Sequence, residues 1–372
     1  MNKKLIIGTN ALTYPELRNF AGLNIPNTTF KKVKDFYKFP SFILFKLFNK
    51  LNRKWQNSFY DLGLNKVAFF HFFNVISSGK KPFITTYETT LPRWRNTPSD
   101  FVKGMNILAK PNCIQIIALS ECAYNLQKEC VQKYAPQFLD SIMSKNTVML
   151  PPQKPIIKQY SDKILDPNFI VFTVVGADFF RKGGQAILNV FKKLLAEKKN
   201  IKLNIVSSLN YGDYASKTSI MDKINAIQII EKYPDNINYY EKLNNDDVQN
   251  LLKQTHIALL PSLAETFGFF ILEAQAAGCP VITTDVRAMP EINNGIKGWS
   301  IHTKNKGSYD ADISNPNKLI LNIEKQLLII ILEILSNPGS IKEKGILAHT
   351  DIIKNHSIEV HSQKLMAIYN KI

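Results

Sequence analysis

The stretch PSLAETFGFFILEAQAAGCPVITTD, residues 261–285, decides how this chain is interpreted. Two glutamates, Glu265 and Glu273, stand eight positions apart in it, separated by one glycine, three phenylalanines and other mostly apolar residues. The runs HIALLPS and PVITTD lead into and out of the stretch, so the pattern predicts a strand, a helix and a second strand. Two carboxylates around the start of a buried helix raise the question of what they bind.

Length and composition describe an ordinary globular protein. The 372 residues are enough for two to three domains, and 45% hydrophobic with 21% charged residues exclude wholesale disorder. The four cysteines form no CxxC pair, so we expect a reduced protein without structural zinc. The start, MNKKLIIGTN, has a short apolar run and no cleavage site, and we expect neither a signal peptide nor a transmembrane segment.

Short β-branched or aromatic runs alternate with helical patterns along the chain, which is typical of parallel α/β proteins. The predicted strands are KLIIGT, KVAFFHFF, KPFITTYE, CIQIIALS and NTVML in the first half, and FIVFTVVG, KLNIVSS, INYYE, HIALLPS and CPVITT in the second. Two doubly wound, Rossmann-like domains that face a central cleft are the simplest architecture. We predict domains over 1–152 and 169–345, a proline-rich linker over 153–168, and a final helix over 346–372 that crosses back to the first domain.

In open parallel sheets, ligands bind beyond the carboxyl ends of the strands. Glu265 lies just after the strand HIALLPS, and Glu273 lies about one turn inside a helix that we expect to begin near Gly268 and to stop at Gly278. The N–H groups of the first helical turn can receive a phosphate, whereas carboxylates accept hydrogen bonds from sugar hydroxyls. Each glutamate taken alone could equally be an ordinary loop or surface residue.

A second segment, GADFFRKGG at residues 176–184, strengthens the functional interpretation. It places Arg181 and Lys182 between a strand end and a helix start, beside paired glycines that permit a ligand to approach closely. A turn of this kind is common and carries little weight alone. One site with cations and another with a helix start and carboxylates together predict a ligand that has both phosphates and sugars, namely a nucleotide-sugar.

The second half of the chain resembles the retaining glycosyltransferases of family 4, which have the GT-B fold. The residues that carry this resemblance follow the pattern PS-x-x-E-x-FG-xxx-LEA-xxx-G-x-PV and are Pro261, Ser262, Glu265, Phe267, Gly268, Leu272, Glu273, Ala274, Gly278, Pro280 and Val281. The resemblance covers residues 169–299 and includes RKGG. Ala177 departs from it, since relatives often carry an arginine there, and Arg181 could take over that role.

The resemblance implies a role for each of these residues. Glu265 would contact the donor sugar, Glu273 would hold the ribose, and Arg181 with Lys182 would neutralise the diphosphate. The donor-binding residues that it implies are Gly176, Arg181, Lys182, Glu265, Thr266, Phe267, Gly268, Phe269 and Glu273. We expect a UDP- or GDP-linked sugar, retention of its anomeric configuration, an acceptor bound by the first domain, and no metal ion, because no DxD-like carboxylate pair is placed to hold one.

Two residues of the first half are candidate polar groups for acceptor binding and catalysis, since both lie near predicted strand ends. His71 stands in VAFFHFFN, where a histidine satisfied within the core is the alternative that the aromatic surroundings favour. Glu88 is the last residue of the predicted strand KPFITTYE, and the alternative is a surface ion pair with Arg93 or Arg95.

The net charge of +17 is concentrated in the first half, with +13 over residues 1–152 and +4 over the rest. Residues 30–60 hold eight Lys or Arg, one Asp and ten aromatic residues. Leu44, Leu47, Phe48, Leu51 and Trp55 recur at helical spacing after Pro40, with Lys46, Lys50 and Lys54 on another face. Such a helix suits an anionic membrane surface, and a core helix with a solvated lysine face is the alternative.

Two other functions stay open on sequence grounds. A pI near 9.5 suits a nucleic-acid-binding protein, although no helix-turn-helix, RNP-like or zinc-finger pattern occurs. A sugar-nucleotide epimerase would share the fold and the donor. We favour a glycosyltransferase that acts on a glycan or a lipid-linked acceptor, in bacterial surface polysaccharide or glycolipid synthesis, at the inner face of the cytoplasmic membrane, without nucleic acid as a partner.

Overall fold

A computed structural model describes residues 4–50, 52–94, 97–303 and 307–372 of the chain. The chain divides into two compact units. The first comprises Met1–Pro152 together with His356–Ile372, and the second comprises Gln153–Asn355.

Both units contain β-strands, which are numbered in chain order. In the first unit they are β1 Leu5–Thr9, β2 Thr28–Lys32, β3 Ser58–Phe59, β4 Phe69–Phe73, β5 Ile76–Ser77, β6 Phe83–Tyr87, β7 Cys113–Ala118 and β8 Asn146–Val148. In the second unit they are β9 Ile170–Val175, β10 Ile201–Val206, β11 Ile237–Tyr240, β12 Ile257–Leu260, β13 Val281–Thr284 and β14 Trp299–Ile301. The ten strands expected from the sequence are all present.

The helices alternate with these strands. They are α1 Tyr14–Glu16, α2 Lys38–Phe48, α3 Arg53–Gln56, α4 Pro98–Ala109, α5 Glu121–Tyr134, α6 Leu139–Met143, α7 Gly184–Ala196, α8 Ile220–Lys232, α9 Asn245–Lys253, α10 Phe269–Ala276, α11 Met289–Ile292, α12 Pro316–Ser336, α13 Gly339–Asn355 and α14 Ile358–Tyr369. A π-helical turn, Leu17–Ala21, continues α1.

Each unit is built on a six-stranded parallel sheet. The first sheet has the order β2-β1-β4-β6-β7-β8, and β3 pairs with β5 in a separate two-stranded sheet. The second has the order β11-β10-β9-β12-β13-β14, the doubly wound 3-2-1-4-5-6 arrangement. The strand order therefore reverses between β9 and β12, and ligands of this fold bind in the crevice that such a reversal opens.

The central strand β4 is buried on both faces, as parallel sheets covered by helices require. Phe70 and Phe72 stack at 5.4 Å on one face, within the main core of the unit. On the other face Phe69 packs against Tyr369 of α14 at 5.4 Å. The last helix therefore completes the core of the first unit.

The predicted boundary between residues 345 and 346 is wrong, because it falls inside α13. This helix runs unbroken to Asn355 and belongs to the second unit through its whole length. The residues assigned to the first unit begin at His356, and α14 alone supplies the helix. The change of unit lies in the short Asn355–Ile358 connection, where the backbone can turn without losing helical hydrogen bonds.

The basic segment 30–60 does not form the single helix that its spacing predicts. α2 ends at Phe48, followed by Asn49 in the left-handed conformation, with φ of 49°. Asparagine tolerates that conformation at a helix end, and α3 then begins afresh at Arg53. Leu51, a member of the predicted stripe, lies outside the described residues.

The alternative of a core helix is also wrong for α2, which contains no buried residue. The side chains of Phe39, Phe42 and Leu47 are 72%, 62% and 67% exposed. So many large apolar side chains in one exposed helix are unusual for a soluble protein. A contiguous exposed apolar patch of this kind typically marks a surface that binds a partner or a membrane. The helix thus presents an apolar surface that the described part of the chain leaves uncovered.

Candidate functional site

The two segments singled out in the sequence are neighbours because their strands pair. β9 and β12 are adjacent and parallel, with Ala258 opposite Thr173, so the loops after them leave the same edge of the sheet. A backbone hydrogen bond of 2.9 Å from Leu263 N–H to the Arg181 carbonyl joins the two loops. The site therefore lies where the strand order reverses, as the fold predicts.

Three charged side chains meet at this point. The Lys182 ammonium lies 3.4 Å from Glu265 Oε2, and an Arg181 guanidinium nitrogen lies 3.7 Å from the same oxygen. Arg181 also donates to the Ala264 carbonyl at 2.6 Å and to Asp178 at 3.1 and 3.2 Å. Arg181, Lys182 and Glu265 form what we call the charged cluster. Each of their side chains is at least four-fifths buried, so their orientation is fixed before any ligand binds.

Two glycines make this convergence possible. Gly183, the N-cap of α7, has φ of 84°, and a Cβ added there would lie 2.2 Å from the Pro261 carbonyl oxygen. A Cβ at Gly176 would lie 2.3 Å from Cε of Lys182, whose side chain runs across the glycine. Both positions need glycine, because a side chain would separate the loops or displace the lysine.

The helix start after the second loop matches the sequence expectation closely. α10 begins at Phe269, and Gly268, with φ of 90°, is its N-cap without any side-chain cap. Glu273 lies one turn further on and is partly exposed, and Thr266 N–H binds Oε1 of Glu265 at 3.1 Å. Such a helix start directs N–H groups and a positive partial charge toward the space above it.

One predicted donor-binding residue cannot contribute its side chain. Phe267 is 1% exposed and packs against Phe269 at 5.0 Å, so it anchors the loop in the core. Only its backbone is available to a ligand. Sequence alone could not separate these aromatic residues, because alternating exposure in a loop depends on the neighbouring strands.

A cavity of about 470 Å³ adjoins the charged cluster within the second unit. Its walls come from the ends of three successive strands: Gly176 after β9, Ser207 and Ser208 after β10, and Glu241 with Lys242 after β11. The sequence interpretation missed the last two loops. Their signal was positional only, since Ser207, Ser208 and Glu241 are the last residues of predicted strands, at the ligand-binding edge of the sheet.

His71 does not lie in an accessible site, so its assignment as a candidate catalytic residue is wrong. It is fully buried in β4, where Nδ1 lies 2.7 Å from the Tyr369 hydroxyl and Nε2 lies 2.8 Å from the Thr86 hydroxyl. Phe20 stacks on its ring at 3.9 Å. Burial lowers the pKa of His71 from the usual 6.5 to about 3, so the ring stays neutral and structural.

Glu88 lies at the carboxyl end of β6, as expected, and is partly buried. Its Oε1 accepts from Arg93 at 3.0 Å and from the Asn74 amide at 3.3 Å, so the ion pair predicted as the alternative exists. Arg95, the other predicted partner, lies outside the described residues. Asn74, missed in the sequence, follows β4 and brings a second polar group to this edge of the sheet.

The described ranges contain neither a metal-binding group nor a membrane-spanning helix. No group of three or more His, Cys, Asp or Glu residues there could hold a metal ion. Within the same ranges, no helix combines the length and the apolar character needed to cross a membrane. All four cysteines are described, and none of them forms a disulfide.

A doubly wound sheet with cations, a carboxylate and a helix start at its reversal point defines the second unit as a ligand-binding domain of the Rossmann type. Residues 155–317, less than half of the chain, match the family described as Glycosyl transferases group 1. The match confirms the resemblance to glycosyltransferases that the sequence indicates. The matched residues lie within the second unit.

The chain is also similar to individual known proteins, in sequence and in structure. The capsular polysaccharide biosynthesis glycosyltransferase CapM of Staphylococcus aureus is 29% identical over 162 residues, which cover 42% of this chain and 38% of CapM. The chain spans less than half of the length of the curated relatives that it matches. In structure, a glycosyltransferase from Rickettsia africae aligns over 100% of this chain and 99% of its own, with a TM-score of 0.61 and 16% identity.

A third similar protein is HepE of Anabaena, whose crystal structure contains UDP and glucose. It aligns over 82% of this chain and 78% of its own, with a TM-score of 0.55 and 11% identity. At these identities the likeness concerns the fold alone. It confirms the predicted GT-B fold, built from two Rossmann-like units.

The buried His71 predicts a pH-dependent stability. Because the folded pKa of about 3 lies below the unfolded value of 6.5, the unfolded chain binds more protons between these pH values. This contribution is present above pH 6.5 and is lost as the pH falls. At pH 5 the loss should amount to roughly 2 kcal/mol of unfolding free energy. Urea unfolding of wild type and His71→Gln at pH 7.5 and 5 measures it.

The variant should show a shallower decline with falling pH than the wild type. It need not be flat, because burial also lowers the pKa of His361 to about 4 in the same unit. Equal pH dependence of the two proteins would show that His71 is not held neutral in the fold.

Proposed function

We propose that the protein transfers a sugar, with retention of configuration and without a metal ion, from a nucleoside diphosphate sugar to an acceptor. The observation that carries this proposal is the convergence of Arg181, Lys182 and Glu265 at the reversal point of the second sheet. Retention is proposed from the resemblance to the retaining family, and metal independence from the presence of two cations that can do the work of a metal ion.

The chemistry follows from the charges. Breaking the glycosidic bond leaves negative charge on the departing diphosphate, and cations that are already in place stabilise that charge without reorganising. Arg181 and Lys182 supply two positive charges, and the start of α10 at Phe269 adds N–H groups and the positive end of a helix dipole. Both loops are tied together by the hydrogen bond from Leu263, so these groups act as one preorganised site.

The remaining parts of the donor find partners around this centre. The resemblance assigns the sugar hydroxyls to Glu265 and the ribose to Glu273, and carboxylates are suited to accept hydrogen bonds from hydroxyls. The cavity beside Gly176 has room for a nucleobase between the loops that follow β10 and β11. HepE, with bound UDP and glucose, supports a UDP-sugar as the first donor to try, with a GDP-sugar as the alternative.

The acceptor is proposed to be a glycan or a lipid-linked saccharide. The relationship to CapM, a capsular polysaccharide biosynthesis enzyme, supports this class. In the first unit, the carboxyl ends of β4 and β6 carry Asn74 and Glu88, hydrogen-bonded to one another at 3.3 Å. These are the polar groups of the unit that we propose face the acceptor.

We place the protein in the cytoplasm, at the inner surface of the membrane, with α2 as the docking element. The exposed side chains of Phe39, Phe42, Phe45, Leu47 and Phe48 supply apolar area, and Lys46 on the same helix is exposed as well. Basic and aromatic residues together suit the headgroup region of anionic lipids. Lys54 is engaged elsewhere, because its ammonium lies 3.9 Å from Asp100 and 4.6 Å from the centre of the Trp94 ring.

The double substitution Arg181→Ala/Lys182→Ala tests the transfer reaction. It should lower kcat by a factor on the order of 10³ or more, since each removed donor acts on charge that grows in the transition state. The assay measures transfer from a panel of UDP- and GDP-sugars to an acceptor extract, once in EDTA and once with a divalent ion added in place of EDTA. Lys192→Ala/Lys193→Ala on α7 removes two exposed charges and is the matched control. Normal turnover by the first variant would place the diphosphate elsewhere, and strict dependence on an added divalent ion would contradict metal-independent catalysis.

Glu265→Gln separates sugar recognition from diphosphate binding. The carboxylate lies 3.4 and 3.7 Å from the two cations and offsets part of their charge. Its removal should leave the affinity for free UDP or GDP equal or up to about tenfold higher, as two cations then face the diphosphate alone. Transfer should fall roughly 10- to 100-fold, because the glutamine oxygen accepts from the sugar hydroxyl without the negative charge that strengthens this hydrogen bond. Calorimetry and the transfer assay measure the two effects, and parallel losses in both would assign Glu265 to the diphosphate site.

The membrane proposal is tested by co-sedimentation with phosphatidylglycerol-containing vesicles at low salt. Phe42→Ser/Phe45→Ser/Phe48→Ser should release the protein, since each phenylalanine contributes roughly 1.5–3 kcal/mol when fully buried. Leu321→Ser/Ile329→Ser/Leu332→Ser removes three exposed apolar residues of α12 and should leave binding unchanged. Wild-type protein that stays in the supernatant at low salt would end the proposal.

A further inference from the structure

A second cavity of about 700 Å³ lies within the second unit, at the opposite edge of its sheet from the charged cluster. It is formed by the segment 165–170 before and at the start of β9, by His256 before β12, and by the connection between α12 and α13. These are the amino ends of the strands, whereas Arg181, Lys182 and Glu265 follow the carboxyl ends. At about 3.3 Å per residue, β12 keeps the two sites roughly 15 Å apart or more.

His256 is the polar group that sets this cavity apart from a surface crevice. Its side chain is 9% exposed, and its Nδ1 accepts a hydrogen bond of 3.1 Å from the Val171 N–H. In the neutral ring the proton therefore sits on Nε2. Burial lowers the pKa of His256 to about 4, with Lys163 acting in the same direction and Asp166 against it. Among the described residues Nε2 has no hydrogen-bond partner, so a nearly buried donor is left to a ligand.

The charge around the cavity is positive. Lys199 and Lys342 line it from two different elements, and neither ammonium has an acidic partner in the described part of the chain. The carboxylate among the lining residues, Asp166, is already engaged, since it accepts from Lys202 at 3.3 Å and from the Asn168 N–H at 2.9 Å. The wall thus offers an anion one imidazole N–H and two exposed lysines whose side chains can turn toward it.

Apart from Asn168 and Asn200, the rest of the wall is apolar or aromatic. Leu335 comes from α12 and Ile341 from α13. Phe169 also lines the cavity, and the Lys202 ammonium lies over the face of its ring, 4.2 Å from the ring centre. Tyr160 is half-buried, and burial raises the pKa of its hydroxyl to about 12, which keeps it a hydrogen-bond donor. A cavity of this volume is in the range of sites for small molecules, with apolar walls and a few convergent polar groups.

We propose that this cavity binds a small organic phosphate monoester, with its phosphate held by His256 Nε2–H, Lys199 and Lys342 and its apolar or ring-shaped part against Tyr160, Leu335 and Ile341. A phosphate dianion matches two ammonium groups better than a singly charged carboxylate does. This cavity shares no residue with the donor site, and the proposal does not rest on the proposed transfer reaction. Since His256 leads directly into β12 and Glu265 follows that strand, a ligand here is connected to the donor loop by one short rigid element.

The experiment uses the full chain and phenyl phosphate as the probe. The protein is labelled with ¹³C at the histidine Cε1, and the His256 signal is identified by its absence in His256→Gln. Phenyl phosphate should shift this signal with a saturable, sub-millimolar Kd, and saturating UDP should not abolish the shift. Inorganic phosphate should bind at least tenfold more weakly, because it leaves the apolar wall in water. Benzyl alcohol, which lacks the charge, should not bind measurably.

Two double variants carry the charge test. Lys199→Gln/Lys342→Gln should weaken phenyl phosphate binding at least tenfold. Lys318→Gln/Lys325→Gln, two exposed lysines of α12 that do not line the cavity, should change the Kd less than twofold. A His256 signal unmoved by 20 mM probe, a shift that UDP removes, equal binding of inorganic phosphate or benzyl alcohol, or an unchanged Kd in the first variant would each overturn the proposal.

Discussion

The pairing of β9 with β12 is the contact on which the rest of the second unit depends. These strands are separated by more than 80 residues in the chain, yet Phe172 stands opposite Ile257 in one parallel ladder. Because parallel neighbours end at the same edge, the pairing brings a loop with two cations against a loop with a carboxylate and a helix start. The glycine at 183, with no Cβ to meet the Pro261 carbonyl, lets the loops close to hydrogen-bonding distance.

The charge balance of this site shapes its function. In the absence of a ligand, Glu265 and Asp178 offset the positive charge of Arg181 and Lys182, so the buried cations are not left unpaired. A diphosphate that enters can take over these contacts, while Glu265 turns to groups that donate hydrogen bonds. In the proposed function, the same carboxylate offsets the charge of the two cations before the ligand binds and accepts hydrogen bonds from the sugar afterwards, which would account for an acid beside a phosphate site.

Much of this could be read from the sequence, and the failures have physical causes. All ten predicted strands exist, because buried parallel strands are continuous apolar runs. β2 was missed because its sequence TTFKK is partly polar, as an edge strand can be. The helix expected from Pro40 to Trp55 breaks at Asn49, since regular spacing of apolar residues does not register a left-handed residue between them. His71 was ambiguous because local sequence does not reveal burial, which Phe20 and Tyr369 produce from distant positions.

The sequence by itself determined the kinds of element, their order, and the residues that stand in the loops after β9 and β12. Those features follow from local rules: periodicity, glycine and proline positions, and residues that begin or end helices. Only the tertiary structure decided which side chains meet, which are buried and which face a cavity, as His256 and Lys342 do at the amino ends of the strands. The physical reason is that strand order and burial arise from pairings between residues far apart in the chain. Local propensity depends only on neighbouring residues and therefore does not predict those pairings.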